Sequence, residues 1–506
     1  KMVFKGNIEY LTENEIGIRL RATQQNSSVL PAESLYAIEH DTMDTTFRSM
    51  YQGLYAYLSA RKERRDLLLS QRPPRFDESL DSMISRSEDD FTRVALKAKA
   101  AQDYFLLIGP PGTGKTSCAL KKMVETFHAD KDAQILLLSY TNRAVDEICK
   151  SLASIAPAVD FIRVGSELSC DEAYRGHLIE NELSSCSRRS EVYERIRNCR
   201  IIVGTVAAIS GKPELFCLKH FDVAIIDEAT QILEPQLLGI LCARGEDGKD
   251  AIDKFVLIGD HKQLPAVVQQ KTEQSVIYDE SLLSIGLTNL KDSLFERLYR
   301  NCTATVQHIL SSSEQSSPLE QSYPSFAAQR SYDMLCRQGR MHPEVALFAN
   351  RAFYGGRLIP VGLPHQTESS DTICRLAFYP SVPEKVGASA KINYSEARIV
   401  ADLAVRIYED HQTDFDESRT LGIITPYRSQ IALIKKEIAA LGIPALNRIM
   451  VDTVERFQGS ERDVIIYSCC INSYFQLKFV SNLTEEDGTL IDRKLNVALT
   501  LSLIHI

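Results

Sequence analysis

The chain has 506 residues, of which 44% are hydrophobic and 25% are charged, and its formal net charge at pH 7 is -9. This length predicts several domains with cores of their own, and the composition is ordinary for a globular protein. The negative charge excludes binding to nucleic acid through bulk positive charge, so such contacts would need a local basic surface or backbone donors. No apolar run approaches the roughly 20 residues of a membrane helix, so no membrane partner is expected.

Cysteine usage and the two chain ends give further expectations. Twelve cysteines are scattered from Cys118 to Cys470 without a C-x-x-C pair. This pattern favours reduced thiols in an intracellular protein, cytoplasmic or nuclear, over a zinc site or a disulfide framework. The chain begins at Lys1 and ends in a hexapeptide that resembles the translation of a common sequencing adapter. We therefore expect a gene fragment whose residues 501–506 are a non-native tail outside the fold.

The N-terminal region predicts two small accessory units. Residues 8–10, 16–20 and 34–38 are short predicted strands separated by polar turns, so residues 1–42 are predicted to form a small β-barrel. Residues 43–96 are predicted to form a helical stalk, because apolar residues from Phe47 to Leu58 recur on one face of a helix. Pro73 and Pro74 are expected to end that helix.

The stalk carries a basic segment with two interpretations. Residues 61–75 contain six basic residues and two acidic ones. The basic residues are Arg61, Lys62, Arg64, Arg65, Arg72 and Arg75. They form either a solvated helix face or a surface that contacts a nucleic-acid strand.

A strand–loop–helix rhythm begins at Tyr104 and predicts an α/β fold. Buried strands are predicted at 105–108, 135–138, 201–203, 223–226 and 255–258, and their continuous apolar runs favour a parallel sheet covered on both faces. We assign residues 97–310 to this first domain. Residues 311–325 contain seven serines and two prolines, which predicts a flexible linker or insertion at 311–330. A strand at 421–424, a helix at 429–441 and a strand at 463–468 predict a second α/β domain at 331–500.

Residues 109–116 carry the clearest chemical signal. They fit G-x-x-x-x-G-K-[ST], follow a predicted strand and precede a predicted helix, as a phosphate-binding P-loop does. Backbone N–H groups and the helix N-terminus would hold the phosphates of ATP. Lys115 is expected to reach the β and γ phosphates, and Thr116 to bind Mg²⁺. The predicted ATP-binding residues here are Gly109, Pro110, Pro111, Gly112, Thr113, Gly114, Lys115 and Thr116.

Two further strand ends carry polar side chains. Asp227 and Glu228 follow the predicted strand at 223–226, where Asp227 would hold Mg²⁺ and Glu228 would orient or deprotonate the attacking water. An alternative is a helix N-cap followed by an acid in the first turn. Gln263 follows the strand at 255–258, where it is placed to contact the γ-phosphate.

These motifs, together with three later ones, resemble superfamily 1B helicases. The chain resembles the branch that includes the nonsense-mediated-decay helicase and the replication nuclease-helicase, and it is most similar to the latter around residues 103–104, 292–298 and 491–496. The motifs follow the order of that family at residues 109–116, 227–229, 259–265, 338–343, 451–466 and 495–500.

The resemblance implies roles for further residues. Arg340 would cross from the second domain to the γ-phosphate, and Gly459 and Glu461 would contact the nucleotide. Strand contacts are implied for Ser139, Thr141, Asn142 and Thr205 on the first domain, and for Thr425, Pro426, Tyr427, Arg428, Thr453 and Gln458 on the second. Most are small donors at loop ends, which suits contacts with phosphates rather than bases.

The chain departs from the family pattern at three places. Gly339 stands where the family has an aromatic residue that stacks on adenine. No glutamine occurs around residues 91–93, where the family has one. The last motif continues with Leu501 instead of an arginine, so we expect the second domain to lack both that arginine and its closing strand.

The sequence therefore predicts two RecA-like α/β domains with ATP and Mg²⁺ in the cleft between them. The predicted function is an ATP-hydrolysing helicase that acts as a monomer on a single strand, DNA rather than RNA, and the resemblance implies 5′ to 3′ movement. The alternatives are a nucleotide-dependent clamp on nucleic acid, or the motor module of a larger nuclease or defence protein.

Overall fold

The structure is a computed structural model that describes residues 6–12, 14–20, 35–38, 45–268, 270–312, 330–367, 375–383, 391–486 and 489–505. The predicted linker at 311–330 lies almost entirely outside these ranges. Among the described helices, none combines the length and the apolar character that crossing a lipid bilayer requires.

The described N-terminal residues form a hairpin, and the rest of the predicted barrel lies largely outside the described ranges. Strands β1 (Gly6–Leu11) and β2 (Ile16–Leu20) pair antiparallel. The third predicted strand is not formed over the described residues 35–38, and residue 34 lies outside the description. Ile8, Tyr10 and Leu11 are exposed on the hairpin, so the described part has no enclosed apolar face of the kind that closes a barrel.

The stalk consists of helices α1 (Thr45–Ser59), α2 (Lys62–Leu68), α3 (Asp81–Arg86) and α4 (Asp90–Ala100). The single long helix predicted here is broken after Ser59. Gly53 brings α1 close to another helix, because a Cβ at this position would lie 2.1 Å from the carbonyl oxygen of Pro235. The predicted apolar face therefore points away from the core, and its members are all exposed: Phe47, Tyr51, Leu54, Tyr55 and Leu58.

Half of the basic stalk segment anchors the stalk to the first domain. Arg64 is buried and donates to the carbonyl oxygens of Ile252 and Asp253. Arg72 and Arg75 both donate to the carboxylate of Asp103. Arg64 and Arg72, whose side chains are 5% and 24% exposed, are thus neither a solvated face nor a strand-binding surface, which corrects both interpretations for them, whereas Arg75 stays 64% exposed.

Seven parallel strands form the larger sheet, as predicted for the first domain. They are β3 (Tyr104–Ile108), β4 (Ile135–Ser139), β5 (Phe161–Val164), β6 (Ile201–Thr205), β7 (Phe221–Ile226), β8 (Ile252–Gly259) and β9 (Tyr332–Met334), in the order β5-β6-β4-β7-β8-β3-β9. Alternate residues of β3 enter different cores, since Leu106 packs in one apolar cluster and Phe105 in another. Both faces are therefore covered. Strand β9 also moves the domain boundary beyond residue 331, where the sequence had placed it.

Helices cover this sheet on both faces. A π-helical segment (Lys115–Leu120) leads into α5 (Lys121–His128). The other helices are α6 (Asn142–Ala153), α7 (Ile179–Glu182), α8 (Arg189–Asn198), α9 (Val206–Ser210), α10 (Glu214–Leu218), α11 (Glu234–Leu241), α12 (Thr272–Ser275), α13 (Glu280–Ser284) and α14 (Leu294–Ser312).

The second domain contains a four-stranded parallel sheet. Its strands are β12 (Leu421–Ile424), β13 (Met450–Asp452), β14 (Arg462–Tyr467) and β17 (Ser502–His505), in the order β13-β12-β14-β17. Two small pairs accompany it, β10 (Arg337–Gln338) with β11 (Ile359–Pro360) and β15 (Leu483–Glu486) with β16 (Thr489–Asp492). The helices are α15 (Pro343–Phe353), α16 (Pro364–Thr367), α17 (Tyr394–Asp410), α18 (Arg428–Ala440), α19 (Val454–Phe457), α20 (Leu477–Val480) and α21 (Arg493–Leu499).

Strand β17 contradicts the expectation that the tail stays outside the fold, because residues 502–505 form this strand. Ser502 pairs with Arg462, and the strand runs parallel to β14 at the edge of the sheet. The expectation that the closing strand is missing is therefore wrong.

Candidate nucleotide site and strand-binding edge

The register of the larger sheet brings three predicted motifs to one edge. Ile108 at the end of β3 pairs with Gly259 at the end of β8, and Ile226 at the end of β7 pairs with Leu257. The segments that follow these strands therefore start side by side. They are the P-loop, the acidic pair after β7 and the segment after β8 that contains Gln263, and parallel sheets place ligands at such an edge.

The P-loop adopts a backbone that requires glycine. Gly112 and Gly114 have φ values of 72° and 73°, in the left-handed region. A Cβ on Gly112 would lie 2.5 Å from Cβ of Arg340. The backbone N–H of Gly339 donates to the Gly112 carbonyl oxygen at 2.8 Å. The P-loop thus faces the arginine-bearing loop that the sequence assigned to the γ-phosphate.

Lys115 and Glu228 form an ion pair inside the site. Nζ of Lys115 lies 2.8 Å from Oε1 of Glu228, and the two side chains are only 15% and 12% exposed. Burial by itself would raise the pKa of Glu228, but the charge and the hydrogen bond of Lys115 hold that pKa below its ordinary value. Glu228 also has a φ of 53°, a left-handed backbone that is strained for a residue with a side chain.

Asp227 lies beside Thr116, as the predicted metal site requires. Oγ1 of Thr116 donates to Oδ2 of Asp227 at 2.5 Å, and the backbone N–H of Glu228 donates to Oδ1 at 2.9 Å. Burial, and then the negative charge of Glu228, raise the pKa of Asp227. A carboxylate and a hydroxyl oxygen at this separation are hard ligands that fit Mg²⁺.

Gln263 and Arg340 approach the site from opposite domains. Nε2 of Gln263 donates to Oδ2 of Asp260 at 2.9 Å, and both side chains are buried. Arg340 donates through Nε to Oε2 of Glu461 at 3.0 Å. Its positive charge is close enough to contribute to the low pKa of Glu228.

Comparisons with known proteins place the chain in a family. Two AAA-domain family profiles match it, one over residues 86–192 and 177–271 and the other over residues 290–502. The chain is 27% identical over 498 residues to the DNA replication ATP-dependent helicase/nuclease DNA2 of Gallus gallus, across 94% of this chain and 43% of that protein. It is a superfamily 1 helicase. It belongs to the branch that includes the nonsense-mediated-decay helicase and the replication nuclease-helicase, and membership implies the use of a nucleotide.

Other similarities of the helicase are weaker. It is 23% identical over 496 residues to the DNA polymerase alpha-associated DNA helicase A of Saccharomyces cerevisiae, across 84% of this chain and 65% of that protein. The solved complex of Arterivirus nonstructural protein 10 (helicase) with DNA is 15% identical, with a TM-score of 0.35 across 81% of this chain and 61% of that one. The helicase spans less than half the length of the DNA2 protein that it matches.

Several of the predicted strand contacts on the first domain serve the fold in this structure. The hydroxyls of Thr141 and Thr205 accept from the backbone at the start of α6 and α9, so they are helix caps. Ser139 is fully buried and donates to the carbonyl oxygen of Asp227. It has no surface for a strand in this conformation, whereas Asn142, at the first position of α6, is exposed.

On the second domain the predicted contacts follow β12 and β13. Pro426 and Tyr427 are partly exposed, Arg428 is exposed, and Thr453 is partly exposed. Thr425 is fully buried, which excludes direct contact with a strand in this conformation. Gln458 and Gly459 line the interdomain cleft, and the same cleft contains Thr116, Asp227 and Glu228. The structure thus brings the fifth motif to the nucleotide site.

Sequence reasoning missed several residues around this cleft. Gln231 donates to Oε2 of Glu228 at 2.8 Å, and Arg143 and Glu455 line the cleft. The i, i+3 spacing of Gln231 from Glu228 was a usable signal. Phe91 approaches the P-loop, since its Cζ lies 3.4 Å from the position of a Cβ on Gly114. Its place beside the nucleotide site is not visible in the sequence pattern.

Proposed function

We propose that the chain is the ATP-driven motor of a helicase that moves along single-stranded DNA. The observation that carries the proposal is the buried Lys115–Glu228 pair, with Asp227 adjacent and Arg340 facing it from the other domain. This arrangement holds groups for phosphate, for metal and for water within one cleft between two parallel-sheet domains. Closing such a cleft around a nucleotide moves one domain against the other.

Each side chain has a role in hydrolysis that its position supports. Lys115 would leave Glu228 and bind the β and γ phosphates, which frees the carboxylate to accept a proton from water. Thr116 and Asp227 would hold Mg²⁺, which neutralises phosphate charge when bound. Gln263 would orient groups at the γ-phosphate from the first domain. Arg340 would exchange Glu461 for the γ-phosphate and stabilise the developing charge.

Strand binding is assigned to the carboxyl edges of the two sheets. Asn142 on one domain, and Tyr427, Arg428 and Thr453 on the other, offer exposed or partly exposed groups there. Backbone and side-chain donors of this kind grip phosphates without selecting a sequence. If each domain holds the strand separately, opening and closing of the cleft converts hydrolysis into a step. The family resemblance favours 5′ to 3′ travel by a monomer.

The relatives' names favour DNA over RNA and a place inside the cell, in the nucleus or the cytoplasm. Because DNA2 is longer than this chain, a second candidate is the motor module of a larger nuclease. Within the chain we assign the hairpin and stalk as accessory elements, residues 97 to about 334 to the first motor domain, and the region after them to the second.

Unwinding assays test the proposal. A duplex with a 5′ single-stranded overhang should be unwound in the presence of ATP and Mg²⁺, and one with a 3′ overhang should not. The Lys115→Ala variant should unwind neither duplex, because it lacks the phosphate-binding ammonium. Strand-stimulated hydrolysis without unwinding or movement would instead favour a nucleotide-dependent clamp, and stronger stimulation by matched RNA would overturn the assignment to DNA.

A further inference from the structure

A fully enclosed tyrosine hydroxyl joins the two motor domains. Oη of Tyr354 donates to Oδ2 of Asp260 at 2.7 Å, and Nδ2 of Asn496 donates to the same hydroxyl at 2.8 Å. Asp260 follows β8 in the first domain, whereas Asn496 lies in α21 of the second. All three side chains are at most 2% exposed, so water does not compete for these bonds.

On the first-domain side, the bridge ends at Gln263, the residue proposed to act at the γ-phosphate. The same Oδ2 of Asp260 accepts from Nε2 of Gln263 at 2.9 Å, and Oδ1 accepts from the backbone N–H of Lys262 at 3.0 Å. The Asp260 carboxylate therefore sets the orientation of Gln263. The positive charge of Lys115 also acts on Asp260, which places this carboxylate within the electrostatic field of the P-loop.

On the second-domain side, the bridge ends at the arginine expected to meet the γ-phosphate. Asn496 also donates to the carbonyl oxygen of Lys262 at 2.8 Å. The backbone carbonyl oxygen of Asn496 accepts from the Thr500 hydroxyl at 2.7 Å, and the backbone carbonyl oxygen of Thr500 accepts from Nη1 of Arg340 at 3.2 Å. Hydrogen bonds, together with the backbones of Asn496 and Thr500, thus link Gln263 of the first domain to Arg340 of the second.

The chemistry of this position calls for a phenol. A hydroxyl can donate to a carboxylate and accept from an amide at once, which phenylalanine cannot do. Burial raises the pKa of Tyr354 well above its ordinary value, so the group stays a donor at every physiological pH. In an enclosed site, loss of one bond leaves an under-bonded carboxylate and amide, which weakens the whole network.

We propose that Tyr354 is a positioning residue that couples the two motor domains: its hydroxyl transmits the state of Gln263 and Asp260 to α21, and from there to Arg340. The inference rests on the proposed function. Tyr354 is only 2% exposed, so its role is to position other groups rather than to bind nucleotide or strand itself. Its contribution is that strand binding and nucleotide binding, each of which involves both domains, stabilise the same domain arrangement, which is an equilibrium coupling between two sites.

The test is Tyr354→Phe, which removes only the hydroxyl. The matched control is Tyr104→Phe, because the Tyr104 hydroxyl is also buried but meets Cys302 Sγ at 3.7 Å within the first domain. Three assays are run for each protein. They give the Kd of a fluorescent ATP analogue, the kcat and KM of hydrolysis with saturating single strand, and the Kd of oligodeoxythymidylate with and without a non-hydrolysable ATP analogue.

Tyr354→Phe should keep nucleotide affinity and KM within about twofold of wild type, and lose strand-stimulated kcat by about tenfold, the effect of one buried hydrogen bond. The strand Kd values measured with and without the ATP analogue should become nearly equal. Tyr104→Phe should match wild type in all three. Asn496→Leu, of similar volume, should reproduce the loss of coupling and serves as the second test if Tyr354→Phe folds poorly, as judged by its thermal transition.

Two results overturn the inference. One is a folded Tyr354→Phe or Asn496→Leu protein with wild-type coupling; the other is a wild-type protein whose strand and nucleotide affinities are independent. Failure of the proposed function is distinct, because it shows as a wild-type protein that binds nucleotide and strand with coupled affinities yet hydrolyses no ATP. In that case the dependence of strand Kd on nucleotide, compared between wild type and Tyr354→Phe, still tests the role of Tyr354.

Discussion

Replacing Glu228 by glutamine should tighten ATP binding while it stops hydrolysis. In the structure Glu228 forms an ion pair with Lys115, with Nζ and Oε1 2.8 Å apart. Nucleotide binding must break this ion pair before the ammonium can reach the phosphates. Glutamine carries no charge, so Lys115 would be released to the phosphates at lower cost.

The structure sets the size of the effect. Two unit charges 2.8 Å apart attract each other by about 6 kcal/mol at an effective dielectric constant of about 20. That figure is an upper bound, because Lys115 stays buried and desolvated after the change. A quarter of it, about 1.5 kcal/mol, already corresponds to roughly tenfold in Kd. Loss of a general base should lower kcat by about 10²–10⁴-fold.

The assay is titration with a fluorescent ATP analogue, followed by single-turnover hydrolysis with single strand present. Glu125→Gln is the matched control, since Glu125 pairs with Lys122 at 3.6 Å on the surface of α5. It should bind and hydrolyse as wild type does. Weaker nucleotide binding by Glu228→Gln, or hydrolysis at the wild-type rate, would refute the reasoning about the ion pair or about the base.

Three further predictions follow from the site. Asp227→Asn should raise the thermal transition temperature of the protein without nucleotide at pH 7, because burial raises the pKa of Asp227 in the folded state. A carboxyl group of this kind lowers the stability of the fold as pH rises above the pKa that the group has in the unfolded chain. Calorimetry should therefore show that the gain in transition temperature disappears in acid. The double variant Arg61→Ala, Arg65→Ala should leave the salt dependence of strand binding unchanged, because the stalk is anchored at the amino edge of the sheet. Arg428→Ala should instead reduce the slope of log K against log salt concentration by about 0.7. Phe91→Ala should weaken ATP about fivefold, as for a lost aromatic contact of ~1 kcal/mol, and leave inorganic triphosphate unaffected in a competition titration.

Each of these has an outcome that would contradict it. An Asp227→Asn protein less stable than wild type at pH 7 would show that the ionised carboxylate does not destabilise the fold. A smaller salt slope in the Arg61 and Arg65 variant would return the stalk to the strand-binding surface. Equal losses for ATP and triphosphate in Phe91→Ala would place the ring against the phosphates rather than the base.

The central strands of the first sheet were predictable because burial on both faces demands continuous apolar runs. The strand predicted at 105–108 is observed as Tyr104–Ile108, and in the second sheet the strand predicted at 421–424 is observed unchanged. Strand β5 was missed because it contains Arg163, whose charge interrupts the apolar pattern. In the fold this arginine is buried and pairs with Asp146, a contact that no local rule reveals.

The site was predictable where one motif carries its own geometry, and not where distant residues meet. Glycines and a lysine at fixed spacing identified the P-loop, but the ion pair of Lys115 depends on a residue that follows another strand. The bridge from Asp260 through Tyr354 spans 94 residues of chain. The helical stalk shows the opposite error. The sequence does contain an apolar face at helical spacing, but the close approach at Gly53 makes a different face of the helix pack against the domain.

The most direct test of motor activity is the dependence of ATP hydrolysis on strand length. Steady-state rates would be measured with saturating oligodeoxythymidylates of increasing length, with Lys115→Ala as the blank. A motor that steps along the strand before it dissociates predicts a stimulated rate that rises with length and then reaches a plateau. A rate stimulated equally by every strand long enough to fill the binding site would contradict movement, and no stimulation at all would contradict the coupling of the two domains to the strand.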